Sequence, residues 1–141
     1  MARFVTVVEV AATPDEAFAF LSDPANRKDW DQSVRSVVGV GEVDASVGDQ
    51  YEVTVGFYGK AIDTIYEITE SDRPSRVVST VSGRVRGREV IEISASESGS
   101  SVSLEMEIQL KGAARLLDRG FQLAFGGIGE NAAAGLKKCL R

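Results

Sequence analysis

Between Val102 and Leu110 every second residue is apolar: Val102, Leu104, Met106, Ile108 and Leu110 alternate with Ser103, Glu105, Glu107 and Gln109, and Lys111 follows. Only a strand, whose successive side chains point to opposite faces, turns that order into one apolar and one wet surface. The segment therefore reads as a half-buried strand of an antiparallel sheet. Tyr51, Val53, Val55 and Phe57 alternate in the same way, as do Ile62, Thr64, Tyr66 and Ile68, where the interleaved Ile65 blurs the pattern. From Val34 onward such runs are punctuated by turn residues at Gly39, Gly48, Gly59, Pro74, Gly83 and Gly99, and connections this short favour hairpins.

An apolar sheet face needs a cover, and the C-terminal segment supplies one. From Ala113 to Leu140 apolar residues recur at helical spacing (Ala113, Leu117, Phe121, Ala124, Ile128, Ala132, Leu136), with Arg115, Asp118, Gln122, Glu130 and Lys137 largely on the other side. Gly120, Gly126, Gly127, Gly129 and Gly135 interrupt it, each costing about 1 kcal/mol relative to alanine in a helix interior. Two readings stand: a kink or local fraying, or a helix kept thin where it faces the sheet, leaving volume for a ligand.

At the other end, Arg3 to Val10 reads as a first strand, branched at Val5, Val7, Val8 and Val10. Thr13-Pro14-Asp15-Glu16 then opens a helix with a cap, a proline suited to the first helical position and a capping-box glutamate. Ala17, Phe20 and Leu21 make its apolar stripe, and Asp23-Pro24 starts a second short helix before Trp30. The expected fold class is α+β: a curved antiparallel β-sheet of about six to seven strands wrapped around a long C-terminal α-helix, with two short helices after the first strand. Residues 1–141 are expected to form one domain.

Composition narrows the functions. A chain of this length, with 43% hydrophobic residues, buries roughly two-thirds of its unfolded surface and folds without disulfides or metal. Cys139 is the only cysteine, so no intramolecular bridge is possible. No signal-like segment opens the chain and no run approaches the roughly 20 apolar residues of a spanning helix, which predicts a cytoplasmic protein without stable membrane insertion. The formal charge of −5 opposes nucleic-acid phosphates and anionic lipid surfaces, although Arg84, Arg86 and Arg88 form a local basic group.

The chain has no histidine, which removes the usual proton carrier near neutrality and the commonest imidazole metal ligand. Asp31, Asp44 and Asp49 lack calcium-loop spacing. Gly126-Gly127-Ile128-Gly129 lies inside a helical pattern instead of following a strand, so it is no phosphate loop. No metal and no cofactor are expected, and any acid–base work falls to carboxylates, tyrosines or lysines.

Several stretches together resemble one family: Thr13-Pro14-Asp15-Glu16-Ala17-Phe18 with Phe20-Leu21, Asp23-Pro24-Ala25-Asn26 leading to Trp30-Asp31, and Val47-Gly48-Asp49-Gln50-Tyr51. Ser71-Asp72-Arg73-Pro74-Ser75-Arg76-Val77-Val78 and the run from Leu110-Lys111-Gly112 to Leu117 also fit. The chain is similar, over essentially its whole length, to the polyketide cyclase/dehydrase and lipid transport family of the START-like (SRPBCC, helix-grip) superfamily. The resemblance implies a cavity between sheet and helix for hydrophobic small molecules such as lipids, sterols, plant hormones or polyketide intermediates. Some members catalyse cyclisation or aromatisation and many only bind or transport. No catalytic signature carries over, so no catalytic residue is assigned.

Candidate ligand contacts are Trp30, Phe57, Thr64, Tyr66, Glu89, Phe121 and Phe125. The resemblance puts Trp30 at the mouth of the grip, where it either meets ligand or anchors the short helix on the sheet. Thr64 and Tyr66 share a face with Ile62 and Ile68 and would be polar groups on an inward row, unless Tyr66 lies at a sheet edge with its hydroxyl in water. Glu89 is in phase with Ile91, Ile93 and Ala95, but a bulge near Gly87 would turn it outward, and the sequence favours a solvated carboxylate paired with Arg86 or Arg88. Phe121 and Phe125, one turn apart, form a pocket wall or plain core.

Three functions follow as expectations. The first is a non-catalytic carrier or sensor of a small hydrophobic ligand, lipid- or polyketide-like. The second is a cyclase/dehydrase-type enzyme using tyrosine and carboxylate groups, marked by Glu89 and Tyr66 pointing into one cavity. The third is a protein-interaction module on the same fold. Monomer and homodimer are both left open.

Overall fold

The protein is described by a computed structural model covering residues 2–40, 46–57, 59–110 and 118–141, with side chains described except at positions 40, 57, 110 and 118–124. Seven strands follow the period-two runs: β1 (Ala2–Val10), β2 (Val34–Val40), β3 (Gln50–Phe57), β4 (Lys60–Asp72), β5 (Arg76–Gly83), β6 (Val85–Ser96) and β7 (Gly99–Leu110). Between β1 and β2 lie α1 (Pro14–Ser22), a 3₁₀ turn at Pro24–Asn26 and α2 (Arg27–Trp30); α3 (Asp118–Cys139) comes last. The expected helix segment at Ala113 to Leu117 lies outside the described residues.

All pairings are antiparallel, in the order β1-β7-β6-β5-β4-β3-β2. β1 and β2, adjacent in sequence, thus sit at opposite edges, and α1 and α2 make the crossing between them. Register shifts between Val34 and Ser36 and between Ile68 and Glu70 bend the strands, as inserted residues do, and the sheet is curled into a half-barrel. Gly39 is no turn: it lies within β2, opposite Tyr51. Gly48 and Gly59 do sit in turns, at φ +98° and +75°, which glycine adopts without a Cβ penalty.

The helix starts form as their capping signals require. Thr13 Oγ1 accepts from the Glu16 backbone N–H at 3.3 Å and donates to Glu16 Oε1 at 2.9 Å. Asp23 Oδ1 accepts from Ala25 N–H at 3.0 Å. The far end of α3 is tied to the end of β1, where Leu140 O accepts from Ala11 N–H at 3.0 Å and Ala12 N–H at 3.1 Å. Ser100, fully buried, donates to Ala12 O at 2.7 Å.

The inner face of the sheet, with Val53, Ile68, Val81, Ile91, Val102 and Leu104, forms one core with Phe18 of α1, Trp30 of α2 and Ala132 and Leu136 of α3. α3 is a continuous helix from Asp118 to Cys139, so its glycines do not break it. Two of them explain how closely it lies: a Cβ at Gly129 would press on the Phe4 ring and one at Gly135 would collide with the Trp30 carbonyl. A Cβ at Gly126 or Gly127 would meet nothing within 4 Å. No helix among the described residues is long and apolar enough to cross a membrane.

Candidate ligand-binding site

A half-open cavity of about 70 Å³ lies between the curled sheet and α3. Leu104, Met106 and Ile108, alternate residues of β7, form its floor, and Phe4 of β1 with Phe125 and Ile128 of α3 close over it. The rings of Phe4 and Phe125 meet at 4.9 Å between centroids, tilted by 56°, a favourable aromatic arrangement. Phe125 and Ile128 flank Gly126 and Gly127, but neither glycine borders the cavity. Of the two readings of the helix glycines, the one that has them open ligand space gives way to two close-packing glycines, Gly129 and Gly135, and two with free room beside them, Gly126 and Gly127.

Five polar residues stand at one side of this apolar space: Asp31, Ser33, Thr64, Tyr66 and Glu89 border it. Glu89 is the main correction to the sequence reading. β6 pairs with β7 without a break from Val85↔Leu110 to Ser96↔Gly99, and Glu89 lies opposite the inward Met106. Directly opposed residues share a face, so the carboxylate is inside and only 2% exposed. No bulge forms at Gly87; a Cβ there would strike the neighbouring strand, which is why the position is glycine.

A charge on that inner row needs a partner, and the fold supplies Arg27, itself 3% exposed. Arg27 Nη1 donates to Glu89 Oε2 at 2.9 Å and Arg27 Nη2 donates to Glu89 Oε1, the two-pronged geometry natural to a planar guanidinium. Its Cζ lies 4.9 Å from the Trp30 ring centroid and 4.8 Å from that of Tyr66, and Tyr66 stacks on Tyr51 at 5.4 Å. Burial opposes the Arg27 charge and is the largest single influence, but Glu89 and the two tyrosines outweigh it and hold the group well above the ordinary arginine value. Burial likewise pushes the Tyr66 phenol well above, and the Tyr51 phenol above, the ordinary tyrosine value, while Arg27 pulls the other way. Both are neutral donors across the physiological range.

The remaining polar protons are already engaged. Thr64 Oγ1 donates to Val53 O at 2.8 Å, and Ser33 donates to Asp31 Oδ1 from its hydroxyl at 2.6 Å and its backbone N–H at 3.1 Å. Asp31 Oδ2 lies 3.8 Å from Arg27 Nη1. Among the described residues, no three of Cys, Asp and Glu converge as a metal site would require.

The sequence candidates thus separate. Thr64, Tyr66, Glu89 and Phe125 border the cavity, and Tyr66 is buried rather than at an edge. Trp30 does not border it: fully buried, it packs under α3 where Gly135 lets the helix approach, and its indole N–H has no partner. The side chains of Phe57 and Phe121 lie outside the described residues. Sequence reasoning missed Phe4, Ser33, Asp31 as a site residue, and above all Arg27. The signal for Arg27 was present, since Arg27, Trp30 and Asp31 fall at i, i+3 and i+4, one face of a helical turn.

An antiparallel sheet curled around a C-terminal helix, with an apolar cavity in the grip, defines a START-like helix-grip protein. The chain belongs to the polyketide cyclase / dehydrase and lipid transport family, whose model matches residues 1–141. Among solved structures it is similar to the START superfamily protein of Mycobacterium smegmatis (TM-score 0.83, 12% identity, covering 99% of this chain and 97% of that one). It is also similar to TTHA0849 of Thermus thermophilus (TM-score 0.81, 18% identity, 97% and 94%) and to Ara h 8.0201 (TM-score 0.63, 16% identity, 95% and 96%). At these identities the likeness is one of fold. No curated protein matches the chain in sequence.

Proposed function

We propose that the chain binds a small hydrophobic molecule in the cavity between the sheet and α3, as a carrier or sensor. The observation that supports this most is the lining itself: an inward row of β7 and the closing residues of β1 and α3 leave apolar surface unfilled inside a single core, where close packing is the rule. At about 70 Å³ the space is smaller than the roughly 150 Å³ dry cavity that holds benzene, so a ligand either enters ring-first with its tail toward the opening or moves the walls.

Tyr66 and Glu89 border the same cavity, which is the mark of the enzymatic alternative and keeps a cyclase/dehydrase-type activity as the second reading. Binding ranks above it because both Glu89 oxygens are paired with buried Arg27: taking up a substrate proton would neutralise Glu89 and leave the Arg27 charge uncompensated, whereas the lone pairs that remain can still accept a hydrogen bond. Native mass spectrometry of the purified protein, with titration of the neutral lipophilic dye Nile red, tests the binding reading. A co-purifying small molecule or saturable dye binding is expected; absence of both rejects it.

A further inference from the structure

Each polar group on the cavity wall has a definite hydrogen-bonding capacity left over. The protons of Thr64 and Ser33 are engaged by Val53 O and Asp31 Oδ1. The Tyr66 hydroxyl has no hydrogen-bond partner among the described residues, and the residue is 6% exposed. The Trp30 indole N–H is the one fully enclosed, unpartnered side-chain polar atom among them. The Tyr66 hydroxyl therefore keeps some accessible surface, and the space that Tyr66 borders is the cavity. A nearly buried hydroxyl without a partner, on a residue that borders an apolar hollow, is costly unless something arrives to bond it.

The charges beside it point the same way. Arg27, Glu89 and Asp31 bring one positive and two negative groups, so one negative charge is left over. The cation is not presented to the cavity: both of its terminal nitrogens face Glu89, two aromatic rings lie against it, and Arg27 does not border the space. Glu89 and Asp31, the residues that carry the two carboxylates, do border it. Among the described residues, an entering group thus meets one free donor, Tyr66, next to anionic acceptors.

We infer that this polar side selects an apolar ligand bearing an uncharged hydroxyl, a phenol or alcohol, which accepts from Tyr66 while donating to Glu89 or Asp31. A carboxylate can only accept and an ammonium can only donate; the first meets two like charges, and the second leaves the Tyr66 proton without an acceptor. A hydroxyl satisfies both requirements at once and brings no charge into the core. This assignment rests on the ligand-binding reading and goes further by naming the ligand's polar group and the residues that choose it.

Isothermal titration at neutral pH with four probes of one shape tests it: propylbenzene, para-propylphenol, para-propylbenzoate and para-propylbenzylamine. The phenol is expected to bind about tenfold tighter than either charged probe, and tighter than propylbenzene. In Tyr66→Phe the preference for phenol over propylbenzene should shrink about three- to tenfold, the worth of one neutral hydrogen bond. Glu89→Gln serves as a second variant and should narrow the margin between phenol and benzoate. If propylbenzene binds but the benzoate or the amine matches the phenol, the hydroxyl assignment is overturned while the binding reading stands. An unchanged phenol preference in a folded Tyr66→Phe protein also overturns it, and if none of the probes binds while Nile red does, the hydroxyl assignment falls and the binding reading stands.

Discussion

Arg27 of α2 and Glu89 of β6, 62 residues apart, form a two-pronged ion pair that is buried on both sides. It joins the crossing between the sheet edges to the middle of the sheet and sets the charge of the cavity wall. Breaking such a pair from one side leaves an uncompensated buried charge. Glu89→Ala and Arg27→Ala should each lower stability by about 3–5 kcal/mol, whereas the double replacement Arg27→Met with Glu89→Leu should recover most of that loss. Urea unfolding of the four proteins measures it, and single variants that cost under about 1 kcal/mol would contradict the buried pairing.

The helix glycines should divide by what lies beside them. Alanine at Gly126 or Gly127 meets nothing within 4 Å and should stabilise the protein by up to about 1 kcal/mol through helix propensity. Alanine at Gly135 is driven into the Trp30 carbonyl, a backbone atom that cannot swing away, and should cost about 1–3 kcal/mol. Thermal unfolding of the three variants gives the signs directly.

Alkaline pH should expose the buried phenols. Tyr66 and Tyr51 have folded-state values above the ordinary 10.0. Above that pH the unfolded chain releases protons that the folded chain retains, so stability is fully present below about 10 and declines as pH rises toward the folded values. Each phenol contributes a slope of about 1.4 kcal/mol per pH unit in that window. Tyr66→Phe should show a shallower decline than wild type in urea titrations between neutral and alkaline pH; an identical slope would contradict the burial of this phenol.

Widening the cavity should trade stability for capacity. Leu104 is 2% exposed and borders the space, so Leu104→Ala should cost about 2–5 kcal/mol. The enlarged cavity should bind Nile red more tightly than wild type. Calorimetric unfolding and a dye titration read the two effects, and weaker dye binding by a folded variant would place the dye elsewhere.

Much of the fold was legible in the sequence because local periodicity fixes it. The alternation of Val102 to Leu110 dictated a half-buried strand, Thr13-Pro14 marked the start of α1 and Asp23-Pro24 that of the 3₁₀ turn leading into α2, and the recurrence from Phe121 to Leu136 gave a covering helix. Trp30 could be read as either anchor or ligand contact, because burial is a property of what packs above it. Glu89 shows the limit most clearly. Its phase with Ile91 and Ile93 pointed inward, yet a bulge near Gly87 and a surface pairing with Arg86 or Arg88 made solvent the favoured reading from sequence. Only the tertiary structure brought Arg27 across from a separate helix to compensate that charge. Periodicity along one strand assigns faces, but the partner that makes a buried charge tolerable comes from another part of the chain.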